Sequence, residues 1–409
     1  LDIALTGPMG PVYMTLPREV LADPAADTPV PPRIPGAVPA VPAADAIERA
    51  AAAIARAEFP LIIYQAMWNT ADTQAALGAL ANDYAIAVCD HAGGALPTTH
   101  PMNLGDIRGM PGRFVEMADV IVVIGASVPW VPSAAEPNAA ATIFQIGADP
   151  HFGDLPHRGF RSDLSITGDP ARSVVALNEA LAALAGAGRG PDADRRRVFI
   201  AEARRAMDEA RAAALDRART MGPIHPAWTA HCLNQAKDDD AIIINELGLP
   251  YSQLRIERPG CYIPGGMASG LGRGLGEALG AKLAAPDRQV IAAIGDGSYM
   301  FSVPTAAHFV GQASNLPTLT LVSNNAEWFA VRRAVNTMYA DGSAVKANRM
   351  PLAELGPSPH FEKLLDAFDG YGEKVSDPEK LPAAMDRAFQ AIADGRQALL
   401  NIATQTGGR

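Results

Sequence analysis

Eight short runs in this chain are apolar at nearly every position, and that feature restricts the fold more than any other. Residues 61–64, 85–88, 120–124 and 142–146 form one group, and 241–244, 289–294, 318–322 and 398–402 form a second. A strand with one wet face alternates apolar and polar side chains; a strand that is apolar throughout must be covered on both faces. Between the runs lie stretches of helical pattern, such as the alanine-rich segment 44–57. Strands and helices in alternation, with the strands buried on both sides, predict parallel sheets flanked by helices. The expected fold class is α/β, with two doubly wound parallel-sheet domains joined by a helical connector.

The segments between those groups organise the chain. Residues 1–20 read as the tail of a preceding domain, with a helical remnant ending at Gly7-Pro8 and a short strand over 12–16 closed by Pro17. Residues 21–44 are rich in Pro and Ala and read as an extended linker. A central α/β domain is expected over 45–170, a polar helical connector over 171–222, and a second α/β domain over 223–409. No short internal repeat is present.

Composition excludes several classes of function. Formal net charge is −10 over 409 residues, and no stretch gathers Lys and Arg densely enough to track a phosphate backbone. Nucleic acid and anionic membrane surfaces are therefore not expected partners. No apolar run approaches the roughly 20 residues of a spanning helix. Cys89, Cys232 and Cys261 are odd in number and far apart, which fits neither a disulfide framework nor a CxxC metal site. A cytoplasmic setting is expected. The chain opens Leu1-Asp2-Ile3 without Met, so a targeting segment, if any, is expected upstream of residue 1.

Two motifs carry chemistry. The run Gly265-Gly266-Met267-Ala268-Ser269-Gly270-Leu271-Gly272-Arg273-Gly274-Leu275-Gly276 is glycine-rich, but no frame in it satisfies GxGxxG and no strong strand leads into it. Close packing and ligand contact are equally open for this run. The second motif is sharper. The strand 289–294 delivers Gly295-Asp296-Gly297-Ser298 at its carboxyl end, and Ser302 and Pro304 then open a helix to about Gly311. Ligands of open parallel sheets bind beyond the carboxyl ends of strands. Glycines flanking an aspartate let a diphosphate approach the main chain while the carboxylate holds a divalent cation. The next strand, 318–322, ends in Ser323-Asn324-Asn325, and parallel neighbours would bring Asn325 beside Asp296.

Gly295-Asp296-Gly297, then 26 residues, then Asn324-Asn325 resembles the thiamine-diphosphate signature of decarboxylases and acetolactate-synthase-like carboligases. The resemblance continues through Gly10 to Val20, which is similar to the end of that family's pyrimidine-binding domain. It includes Thr99-His100-Pro101-Met102 and Ile146-Gly147-Ala148-Asp149-Pro150 in the central domain. It extends over Gly265 to Arg288, Asn325 to Arg333, and Gly370 to Val375.

The resemblance implies thiamine diphosphate and Mg²⁺ as cofactors. It implies Asp296 and Asn325 as side-chain metal ligands, with Glu327 giving its main-chain carbonyl. Gly295, Gly297 and Ser298 would approach the diphosphate, Gly297 and Ser298 through their amides. Gly265 and Gly266 would border the cofactor, and Met267 would wedge beneath its bend. Trp328, Phe329 and Arg332 would line the substrate pocket, with core packing the alternative for Trp328 and Phe329. The family's activating glutamate belongs to the pyrimidine-binding domain; neither Glu19 nor Glu246 sits in a matching context, so the catalytic residue is expected outside this chain and the chain alone is expected to be inactive. The strand at 12–16 points to loss from one longer chain.

The implied reaction is decarboxylation of a 2-oxo acid, with release of an aldehyde or addition to a second carbonyl. The alternative is a lyase or decarboxylase resembling benzaldehyde lyase or benzoylformate decarboxylase, although His91, His100 and His308 form no evident catalytic pair. Substrates would be 2-oxo acids or aldehydes, and the assembly a homodimer or homotetramer. Gly105 to Gly112 resembles the flavin loop of acetolactate synthases. However, Val128-Pro129-Trp130-Val131-Pro132 stands where flavin-binding members carry charge, so tightly bound FAD is not expected.

Overall fold

A computed structural model describes residues 2–24, 36–65, 70–90, 93–106, 113–186, 193–264 and 270–405. The chain forms two compact units and two six-stranded sheets. The first sheet contains β1 (Pro60–Tyr64), β2 (Ala87–Asp90), β3 (Asn103–Asp106), β4 (Val120–Ile124), β5 (Thr142–Gly147) and β6 (Leu164–Thr167). Its order is β3-β2-β1-β4-β5-β6. Helices Ala44–Arg56 and Pro170–Gly186 pack together, burying Ile47, Ala50 and Ile54 of one and Val174, Leu177 and Leu181 of the other.

The second sheet contains β7 (Ile242–Glu246), β8 (Tyr262–Ile263), β9 (Val290–Gly295), β10 (Leu319–Asn324), β11 (Tyr371–Val375) and β12 (Ala398–Ala403). Its order is β11-β12-β10-β9-β7-β8, and all its pairings are parallel. The continuous apolar character of β9 has a direct explanation. Val290, Ala292 and Ile294 pack on one face with Leu275, Ala278 and Tyr299. Ile291 and Ala293 pack on the opposite face with Leu233, Leu381 and Met385. Both faces are dry, so a polar side chain on this strand would be buried.

The order places the site. From β7 the chain moves to β8 on one side and returns to β9 on the other, so the direction of winding reverses between β7 and β9. At such a reversal the loops leaving adjacent strand ends part, and a crevice opens at their carboxyl tips. Glu246 ends β7 and Gly295 ends β9. The turn after β7 is tight: a side chain on Gly248 would come within 2.4 Å of the Ala293 carbonyl carbon.

Three features differ from the sequence reading. Residues 12–16 carry no regular structure and are exposed, since an isolated extended segment has no neighbour to complete its ladder. The segment Asp296–Phe301, read as a loop, is a short helix directly after β9. Strands β3, β6, β8 and β11 were not anticipated, and they form the four edges of the two sheets. Among the described residues no helix is long and apolar enough to cross a membrane.

Asp90, at the end of β2, gives a pH prediction. Its carboxylate is buried and accepts hydrogen bonds from the amides of Gly93 (2.7 Å) and Ala95 (3.0 Å). Burial outweighs those bonds and pushes its pKa up from 3.8 to about 6. A raised carboxyl stabilises the fold fully below its unfolded value, and that contribution is lost as pH rises through the folded value. The fall between about pH 4 and 6 is worth about 3 kcal/mol at 1.36 kcal/mol per unit. In urea titrations across this window, Asp90→Asn is expected to show a shallower decline than the wild type.

Candidate functional site

The site is assembled from the carboxyl ends of β7, β9 and β10. In the parallel pairing of β9 with β10, Ser323 lies opposite Gly295, so the next residues along each strand, Asn324 and Asp296, leave the sheet side by side. The Asp296 carboxylate is buried, accepting from the Gly297 amide (2.9 Å) through one oxygen and from the Ala326 amide (2.8 Å) through the other. A hydrogen bond from β10's exit turn to β9's terminal carboxylate thus joins the two tips. Burial pushes the Asp296 pKa up to about 6, and the amide bonds offset this only in part. A cation beside the carboxylate would reverse the shift, because opposite charge favours the ionised form.

The turn after β10 is held at every residue. Ala326 adopts a left-handed conformation (φ 55°), a position uncommon for a residue with a Cβ. Asn325 Oδ1 accepts from the Glu327 amide (3.0 Å), and Asn324 Oδ1 from the Ala326 amide (3.2 Å). Trp328 donates its amide to the Ala353 carbonyl, and Leu355 donates to the Ala326 carbonyl. Asn324 is also tied inward, donating to Asn401 Oδ1 (2.8 Å), whose own amide donates to Glu362 (2.7 Å).

Asp296, Asn325 and Glu327 are therefore brought to adjoining strand tips. Glu327 directs its carboxylate to Arg332, at 3.0 Å. What the turn can offer a cation is then a carboxylate, an amide oxygen and main-chain carbonyls, an all-oxygen set suited to Mg²⁺. Gly297 and Ser298 lie in the first turn of the Asp296–Phe301 helix, both buried. The Gly297 amide is engaged by Asp296 itself. Gly297 also explains its residue type, because a Cβ there would stand 2.3 Å from the Trp328 ring. Trp328 packs against Phe301 as well, with ring centroids 5.2 Å apart. Phe329 is half-buried, while Arg332 is buried. Gly265, Gly266 and Met267 lie outside the described residues.

Glu246 is a site-forming residue that sequence reasoning set aside. Its two carboxylate oxygens accept from the amides of Gly272 and Gly274, each at 2.6 Å. These amides lie 26 and 28 residues ahead, so no local spacing announces the contact. A carboxylate ending an apolar strand was the available signal.

Comparison with known families agrees with this geometry. Residues 248–402 match the model described as thiamine pyrophosphate enzyme, C-terminal TPP binding domain. Residues 47–177 match thiamine pyrophosphate enzyme, central domain. The chain belongs to the thiamine pyrophosphate enzymes. Among curated members of that family's neighbourhood, it is 28% identical over 425 residues to the acetolactate synthase large subunit IlvG of Mycobacterium tuberculosis, covering 99% of this chain and 70% of that protein. It is 23% identical over 411 residues to a 2-hydroxyacyl-CoA lyase of Oryza sativa subsp. japonica, covering 88% of this chain and 61% of that one. Among solved structures, the Rhodococcus jostii RHA1 thiamine diphosphate-dependent 4-hydroxybenzoylformate decarboxylase has a TM-score of 0.74 at 20% identity, covering 100% of this chain and 73% of its own. The thiamine pyrophosphate enzyme fold thus extends over both sheets.

Proposed function

We propose that this chain binds the diphosphate of thiamine diphosphate through Mg²⁺ held by Asp296, Asn325 and the Glu327 carbonyl, and serves a 2-oxo acid carboligase or decarboxylase resembling acetolactate synthase. The observation that carries the reading is the Asp296 carboxylate, buried at the sheet's reversal point and, among the described residues, hydrogen-bonded only to neutral amides. Bound thiamine diphosphate supplies the electron sink for loss of CO₂ from a 2-oxo acid. The chain's residues do the holding. Asp296 offsets phosphate charge through the cation, and Gly295 and Ser298 allow close approach of the main chain. Trp328 and Phe329 follow the cation turn toward the substrate, whereas Arg332, expected there from the sequence, is buried against Glu327 and Asn348.

Titration calorimetry with thiamine diphosphate tests this. Binding is expected with Mg²⁺ and is expected to vanish in EDTA; equal binding in both would overturn the cation assignment. A second reading, a benzoylformate-decarboxylase-like enzyme, is favoured by the TM-scores of 0.74 and 0.73 to two decarboxylase structures. With a pyrimidine-binding domain carrying the activating glutamate supplied, product analysis with pyruvate, alone and with an aldehyde acceptor, separates the two: a hydroxyketone supports the carboligase, and free aldehyde alone the decarboxylase. We also infer a homo-oligomer, and no tightly bound flavin. Trp130, in the stretch where flavin-binding relatives carry charge, is buried edge-on against Phe160 (centroids 5.2 Å). Purified protein is expected to lack visible flavin absorbance, and a flavin band in its visible spectrum would contradict this.

A further inference from the structure

The helix Phe329–Met338 half-buries Phe329 and Val335, yet the residue it buries most deeply is not apolar. Its buried residue is an arginine, Arg332. The Arg332 Nη2 lies 3.0 Å from Glu327 Oε1, with the two side chains 6% and 4% exposed. Nη1 donates to Asn348 Oδ1 at 3.3 Å. Nε and Nη2 of Arg332 and Oε2 of Glu327 have no hydrogen-bond partner among the described residues.

A buried ion pair with unsatisfied atoms is a poor stabiliser, because desolvation offsets much of the attraction, and apolar residues of similar volume often do better. Holding the helix down is thus an insufficient reason for the pair. Its position supplies another. Glu327 belongs to the turn whose Ala326 amide is bonded to the Asp296 carboxylate, and its own amide is bonded to Asn325 Oδ1. A free Glu327 carboxylate in that turn would compete with the main-chain oxygens for a cation.

We propose that Arg332 is a positioning residue: it captures the Glu327 carboxylate, leaves the turn's amide and carbonyl oxygens for Mg²⁺, and fixes the helix Phe329–Met338 to the cation turn. The inference rests on the cofactor reading above. Groups that orient a metal's ligands are typically worth 10–100-fold in metal affinity.

The test is the Mg²⁺ concentration that half-saturates thiamine diphosphate binding, measured by calorimetry on the full chain, together with metal-free thermal melts. Arg332→Met is expected to raise the half-saturating concentration by about 10-fold or more. Arg332→Lys, which keeps the charge, is expected to recover most of the loss. Arg333→Met, at an exposed neighbouring position, is expected to leave it unchanged. A lower metal-free melting temperature for Arg332→Met with unaltered Mg²⁺ half-saturation would reduce the pair to a structural role and overturn the inference. If Arg332→Met does not fold, Arg332→Gln takes its place, since it also removes the captor and leaves the Glu327 carboxylate: a shift of the same size supports the capture, and wild-type half-saturation overturns it. Wild-type chain that takes up no thiamine diphosphate overturns the cofactor reading and this inference together, whereas wild-type binding with unaltered variants overturns this inference alone.

Discussion

Asp296→Ala is expected to lose Mg²⁺-dependent thiamine diphosphate binding by more than about a hundredfold, beyond the range expected for groups that merely support a metal ligand. The carboxylate is the only anionic side chain proposed to touch the cation, and its two oxygens also tie the β9 tip to the turn after β10. Asp296→Asn is the milder change: it removes the charge and keeps one acceptor oxygen, but turns an NH₂ group toward the second amide, so binding falls and one of the two ties is lost. The metal-free protein should respond in a second way. Because burial raises the Asp296 pKa to about 6, the folded state favours the protonated form. Stability is then greatest below about pH 4 and declines by about 3 kcal/mol as pH rises through 6. Asp90 contributes a decline over the same window, so the quantity to read is the difference in slope between Asp296→Asn and wild type. Saturating Mg²⁺ with thiamine diphosphate is expected to flatten the wild-type slope, because the cation holds the carboxylate ionised in the fold. An Asp296→Ala protein that binds as tightly as wild type would remove the residue from the site.

How far the sequence discloses this arrangement depends on where each residue draws its constraint. The inner strands β1, β2, β4, β5, β7, β9, β10 and β12 are flanked by neighbours and covered on both faces, so their apolar runs were legible. The edges were not. Asn103-Leu104-Gly105-Asp106 of β3 and Tyr371-Gly372-Glu373-Lys374-Val375 of β11 have one hydrogen-bonding neighbour and partly wet surfaces, and they tolerate charge and glycine that disguise a strand. Within the site, Asp296 and Asn325 were legible because each follows directly on an apolar strand. The contacts of Glu246 with Gly272 and Gly274, and the capture of Glu327 by Arg332, were not. One spans the sheet's reversal point, and the other depends on a left-handed residue at Ala326 and on which face of the next helix turns inward. Gly297 shows the intermediate case. Its glycine suggested a diphosphate approach, while the structure adds a steric demand from the Trp328 ring that no spacing rule contains.

Glu246→Ala is expected to produce the largest loss of stability of any single truncation at the site. The helix Gly274–Ala284 begins without a capping side chain of its own: Arg273, at the N-cap, is in right-handed helical conformation and forms no side-chain cap bond. The first amides of a helix need acceptors from elsewhere, and the aligned peptide dipoles make an anion the preferred one. Glu246 fills that need from the end of β7, with one oxygen on Gly272 and the other on Gly274. Gly272 is confined as well, with φ 90° and a would-be Cβ within 2.5 Å of the Phe301 backbone, so the segment cannot easily shift to find another acceptor. Truncation leaves two amides without their charged partner, one of them buried, and a buried orphan costs about 1–3 kcal/mol. Two hydrogen bonds to a charged acceptor, at about 1.5–3 kcal/mol each, put the expected loss at about 3–6 kcal/mol, measured as a lower urea midpoint with unchanged slope. Glu246→Gln retains one acceptor oxygen but turns an NH₂ group toward the second amide, so its loss should fall between alanine and wild type only if that amide can reach water. Because Gly272 continues the run that begins at Gly265, the alanine variant should also weaken thiamine diphosphate binding at temperatures where it remains folded. A wild-type midpoint for Glu246→Ala would mean that solvent satisfies both amides and that β7 contributes no anchor to the helix.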